Sequence, residues 1–138
     1  MRLLNTWPKV GQCSLDDWLR TPMTASRLNA VEAQLDAYNA HDVDAFLVCY
    51  TQSCIIEDGQ GTRIMAGHAE MRLRYQTLFA SSPTLHCDIV SRVCIGDYVI
   101  DEERITGRVP DLRRAVVIYR IDKQSGLISH VRFLRETS

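Results

Sequence analysis

Apolar positions along this chain change their period partway through. From Ser26 to Asn39 the residues Leu28, Val31, Leu35 and Tyr38 recur at helical spacing, which predicts an amphipathic helix. Thr24 and Ser26 are suited to cap it, and Asp42 is suited to open a second helix with Val43, Phe46, Leu47 and Tyr50 on one face. Cys54 to Asp58 reads as a strand and Arg63 to Met65 as a shorter one, after which Gly67 opens a third helix with Met71, Tyr75, Leu78 and Phe79 inward. Ser81, Ser82 and Pro83 stop it. Four long β-type runs follow, Thr84 to Ile95, Tyr98 to Arg108, Leu112 to Asp122 and Leu127 to Leu134, broken at Gly96-Asp97, Pro110-Asp111 and Ser125-Gly126. Consecutive strands with tight breaks predict an antiparallel meander. A sheet with one apolar face needs a covering layer, so the three helices must supply it, and the fold class is α+β.

The 138 residues, 46% of them apolar, suit a single domain, read as residues 24–138. Residues 1–23 differ, holding both tryptophans, two prolines and a short Ser14-capped pattern, and read as an N-terminal extension, with Met23 as an alternative start. Net charge of −1, from 16 basic and 17 acidic residues interspersed, offers no single-sign field, so neither nucleic acid nor a membrane is an expected partner. The five cysteines, Cys13, Cys49, Cys54, Cys87 and Cys94, form no CxxC pair, and no signal peptide precedes them; reduced thiols in a cytoplasm are expected. No apolar run reaches the length of a membrane span.

Candidate chemistry concentrates in the first strand. By alternation Cys54, Ile56 and Asp58 share one face, with Ile55 and Glu57 on the other. Asp58 is therefore the carboxylate better placed for a pocket; equally, it is placed to cap the turn before Gly59 and Gly61. His41, His68, His86 and His130 show no i, i+2 or i, i+4 pairing, so no metal is expected. A phosphate-binding glycine loop and a GxSxG elbow are absent, and no cofactor is expected.

The stretch HDVDAFLVCYTQSCIIEDGQG followed by MAGHAEMRLRY, in the order helix, helix, strand, helix and meander, resembles the nuclear transport factor 2-like superfamily over about residues 26 to 136. Ketosteroid isomerases and SnoaL-like polyketide cyclases belong to it. The resemblance implies a cone-shaped α+β fold around a pocket for a small hydrophobic molecule. It also implies a general base at Asp58, acting without metal in isomerase-, cyclase- or lyase-like proton transfer. Tyr50 and Tyr75 match tyrosines of the pattern, whereas the oxyanion-binding positions hold Gln34 and Val117. Losing such donors costs on the order of 100- to 1000-fold in rate each. Aligned this way, Tyr98, Ile100, Glu102, Arg104 and Thr106 face inward, which nominates Gln34, Tyr50, Tyr75, Tyr98, Glu102 and Arg104 as ligand-binding residues. Glu102 and Arg104 are also placed to pair with each other. The strand around Arg104 resembles that of limonene epoxide hydrolases, with Thr106 where an acid should stand. The superfamily also implies dimerisation through the outer sheet face, where Val99, Ile105, Val116 and Ile118 are expected, so the alternative to catalysis is a dimeric association or ligand-binding module.

Overall fold

The computed structural model describes residues 22–136 and the side chains from Leu28 onward. Residues 1–21 of the expected extension lie outside the described residues. Three helices, α1 (Pro22–Ala40), α2 (Val43–Leu47) and α3 (Gly67–Ser81), cover one face of a six-stranded sheet. Its strands are β1 (Tyr50–Asp58), β2 (Arg63–Ala66), β3 (His86–Ile95), β4 (Tyr98–Thr106), β5 (Arg114–Ile121) and β6 (Ile128–Arg135). They lie in the order β2-β1-β6-β5-β4-β3, a curved sheet that does not close. The meander is antiparallel throughout, but β1 joins β6 in parallel, so the sheet is mixed.

Local chemistry accounts for the breaks. The first helix begins at Pro22, four residues before the expected Ser26, so Thr24 and Ser26 lie within it. His41 takes a left-handed conformation (φ 57°) between α1 and α2, and its ring stacks on Phe79 with centroids 5.3 Å apart. Asp42 then caps α2, its carboxylate accepting from Ala45 N–H at 3.1 Å. That helix stops at Leu47, and Tyr50, expected on its face, instead begins β1. Pairing with a distant strand decides this: the Ile128 N–H donates to the Cys49 carbonyl at 2.9 Å.

Two apolar clusters fill the space between the layers. One runs from Val31 and Phe46 through Met71 to Val99, Val117 and Val131, and the other joins Phe79, Leu85, Cys87, Ile89, Ile105 and Leu112. Val99 and Ile105 are thus core residues, which corrects their expected place on the outer face, while Val116 and Ile118 do lie outward and half-exposed. Cys49, Cys54 and Cys87 are free buried thiols, but Cys94 is engaged in a disulfide, which corrects the expectation that all five are reduced.

Candidate functional site

The phase of β4 positions the site. Val99, Asp101, Glu103 and Ile105 point into the cone and Tyr98, Glu102 and Arg104 point away, the reverse of the expected facing. The reason lies in the neighbouring strand. The Gly96-Asp97 turn sets Ile95 opposite Tyr98, and the register that follows sets Arg92 opposite Asp101. Arg92 grips Asp101 through two hydrogen bonds, Nε to Oδ1 at 2.6 Å and Nη2 to Oδ2 at 2.9 Å, and Nη1 reaches Glu32 at 2.8 Å. Burying Asp101 requires such a cation. Outward, Glu102 accepts from Ser91 at 3.0 Å and from Arg114 rather than from Arg104.

Glu103 has no such cation among the described residues. Its side chain lies in a cavity of about 70 Å³ lined among others by Gln34, Tyr38, Tyr50, Tyr75, Cys87 and Tyr119. The Tyr50 hydroxyl donates to Gln34 Oε1 (3.1 Å), Gln34 Nε2 donates to the Tyr119 hydroxyl (3.0 Å), and Tyr119 donates to Glu103 Oε2 at 3.5 Å. Burial, with the charge of Asp101 added, pushes the Glu103 carboxyl up to about 8. Burial likewise raises all four tyrosines, so they remain neutral donors. The hydroxyls of Tyr50 and Tyr119 are spent within this chain. Among the described residues, those of Tyr38 and Tyr75 make no protein hydrogen bond, although both side chains line the cavity. Buried phenols normally find a partner.

A second, wider cavity of about 380 Å³ adjoins the first, the two sharing Ile56, Tyr75, Leu78, Arg108 and Phe133. The loop that brings Arg108 there is tied down closely. Gly107 has φ +74°, and a Cβ on it would collide with the Thr84 carbonyl. The amide that follows Arg108, Val109 N–H, donates to the buried Ser82 hydroxyl at 2.9 Å.

Of the residues nominated from sequence, Gln34, Tyr50 and Tyr75 come together at the inner cavity. Tyr98, Glu102 and Arg104 lie on the other side of the sheet. Asp58 sits at the end of β1, where Oδ1 accepts from the backbone amides of Gln60 and Thr62, both at 2.9 Å, and it lines neither cavity. Its strand neighbour Glu57 turns outward to His130 (2.9 Å) and Arg132 (2.8 Å), the arginine hydrogen bond holding its carboxyl below the usual range. Glu103 and Tyr119 went unnominated, yet a tight hairpin register read from Gly96-Asp97 opposes Arg92 to Asp101 and so turns Glu103 inward. Among the described residues, no group of three or more His, Cys, Asp or Glu side chains could hold a metal ion, and no helix is long and apolar enough to cross a membrane.

Helices laid over a curved open sheet, with polar groups gathered inside the cone, define a nuclear transport factor 2-like protein. The family model for the SnoaL-like domain matches residues 31–131, and the chain belongs to that family. No curated protein sequence matches it. Solved structures agree on the fold. An uncharacterised cystatin-fold protein from Novosphingobium aromaticivorans is 25% identical, with TM-score 0.70 over 79% of this chain and 97% of that one. A SnoaL-like protein of unknown function from Burkholderia thailandensis is 18% identical, with TM-score 0.69 over 82% and 97%. A candidate ketosteroid isomerase from Kribbella flavida is 17% identical, with TM-score 0.67 over 83% and 80%.

Proposed function

We propose that this protein binds a small, largely apolar carbonyl compound inside the cone and moves a proton on it, with Glu103 as the acid–base group. One observation carries the reading: a carboxyl that has no cation among the described residues, walled into a cavity and poised near 8, beside two phenols whose hydroxyls make no hydrogen bond among those residues. A group titrating there exchanges its proton in either direction at neutral pH, which is what shuttling a proton between two carbons demands. Tyr38 and Tyr75 are the donors for the ligand oxygen on which charge develops, and Tyr119, fixed by Gln34, holds the Glu103 carboxyl in place. The inner cavity admits only the reacting end of a ligand. The outer one, about 380 Å³, is within the roughly 300 to 1,000 Å³ range of small-molecule sites and takes the body.

This reading moves the acid–base role from Asp58, the position implied by resemblance, to Glu103, because the Asp58 carboxylate is committed to two amides of its turn. The test is proton exchange: 2-tetralone is incubated with the protein in heavy water and the loss of its α-proton signals is followed by nuclear magnetic resonance. Wild-type protein is expected to exceed Glu103→Gln by at least about 100-fold, the usual contribution of a positioned general base. Equal rates in the two proteins, at the level without protein, would sink the assignment.

A second reading concerns assembly. Val93, Ile95, Tyr98 and Leu134 stay exposed on the outer side of the sheet, beside half-exposed Val116 and Ile118. Such a face suits a homodimer formed sheet to sheet, and it coexists with a working cone.

A further inference from the structure

We propose that the ligand of this cone carries an anionic group, a carboxylate or its equivalent, at the end opposite its reacting carbonyl, and that Arg74, Arg108 and Arg135 bind it at the cavity mouth. The inference rests on the pocket reading above and deepens it.

Among the described residues, three guanidinium groups line the outer cavity, from α3, from the 107–112 loop and from the end of β6, and no carboxylate does. Elsewhere, among the described residues, five arginines have carboxylate partners: Arg72 faces Asp44, Arg92 faces Asp101 and Glu32, Arg113 faces Asp111, Arg114 faces Glu102, and Arg132 faces Glu57. Arg74, Arg108 and Arg135 have no such partner among the described residues. The remaining unpaired arginines there, Arg63, Arg104 and Arg120, occupy exposed strand positions away from this cavity. Two of the mouth arginines are themselves exposed, but Arg108 is half-buried and lines the inner cavity too. Its positive charge reaches the phenols of Tyr38 and Tyr75.

Two other polar side chains at the mouth are committed: Thr77 donates to the Leu73 carbonyl at 2.9 Å and Ser81 to the Thr77 carbonyl at 2.8 Å, both within their own helix. Tyr75, shared with the inner cavity, is the donor assigned above to the reacting end. The guanidiniums are left as the charged donors facing the space, while Ile56, Ile64, Met65, Leu78 and Phe133 make its walls apolar. An apolar body with one anionic end fits this arrangement. A neutral ligand would leave the cations unanswered, and an anion without an apolar body would leave the walls wet.

The test uses 4-phenylbutyrate and its neutral counterpart 4-phenylbutanamide, titrated calorimetrically into the full chain, with the proton exchange of 2-tetralone measured in parallel. The acid is expected to bind at least about 10-fold more tightly than the amide, in line with a charge-assisted hydrogen bond, and to weaken with added salt. Arg108→Gln should remove most of that preference. Arg74→Gln, on an exposed helix position where folding is not at stake, should reduce it in part, and Arg104→Gln on the other sheet face should do nothing. Equal affinity for acid and amide, with Glu103-dependent exchange intact, overturns the anion site and leaves the pocket reading standing. If neither compound binds and exchange is also absent, both fall together.

Discussion

Asp101 and Glu103 project from the same face of β4, two positions apart, and among the described residues only Asp101 is paired with a cation. Both carboxyls are buried. Arg92 spends its fork on Asp101 and Glu32, so the charge left on Asp101 faces Glu103 without a second cation between them. Burial is the larger cause and the Asp101 charge the next in raising Glu103. Two acids of similar intrinsic strength are thereby driven to different tasks, one as half of a structural ion pair and the other as a group that titrates near neutrality.

The first prediction follows from that asymmetry. The folded protein holds the Glu103 proton up to about 8, whereas a free glutamate releases it near 4.5. Between those values the unfolded chain has released the proton and the folded chain has not, so stability falls as pH rises through this window. The slope approaches about 1.4 kcal/mol per pH unit for one proton. Urea denaturation across that range should show wild-type stability declining relative to Glu103→Gln, and parallel profiles would show that the carboxyl is not raised in the folded state.

A second prediction concerns Arg92. Replacing it by Met leaves Asp101 buried without a cation, which costs about 3 to 5 kcal/mol. Adding Asp101→Leu to that variant should recover most of the loss, because removing both members of a buried pair removes the uncompensated charge. Urea midpoints for the single and double variants measure this, and a double variant as unstable as Arg92→Met would mean that packing, not charge, dominates at this position.

These groups were only partly legible in the sequence. The helical spacing of Leu28, Val31, Leu35 and Tyr38 in α1 and of Met71, Tyr75, Leu78 and Phe79 in α3, with the turns at Gly96-Asp97 and Ser125-Gly126, foretells the helices and the meander. Helical spacing puts Tyr50 on α2, whereas β1 forms by pairing with Ile128 on a strand far along the chain, and no local period reports a parallel pairing of that kind. The β4 phase was inverted for another reason: each face of YVIDEERIT offers apolar and acidic residues, so alternation alone has no preference. Only the partner strand decides, since Arg92 is the cation that lets Asp101 turn inward. The arginine mouth depends on a loop, whose course follows from the Gly107 conformation and the Ser82 hydrogen bond rather than from any pattern.

The outer sheet face carries the third prediction. Ile95 and Tyr98 are cross-strand partners at the β3–β4 turn and both are exposed, as is Val93 nearby. Wild-type protein is expected to run as a dimer at micromolar concentration by size exclusion with light scattering. Ile95→Lys combined with Tyr98→Lys should yield a folded monomer, because like charges would then face each other across the interface. A wild-type monomer throughout that concentration range would count against the sheet-to-sheet dimer.

Asp58 and Glu103 compete for one role, and substitutions at Asp58 separate them. Oδ1 of Asp58 accepts from the amides of Gln60 and Thr62 in the turn to β2. Asparagine keeps an acceptor oxygen in the same place, so Asp58→Asn should cost little stability, whereas Asp58→Ala orphans both amides and should cost about 1 kcal/mol or more. If the carboxylate serves the turn alone, 2-tetralone exchange in Asp58→Asn equals wild type. Abolished exchange in a folded Asp58→Asn protein would instead mean that the turn opens and delivers this acid to the cone, and that Glu103 is the neutral partner of a base at Asp58. Measuring both variants together matters, because loss of exchange in Asp58→Ala alone would follow equally from a disordered turn.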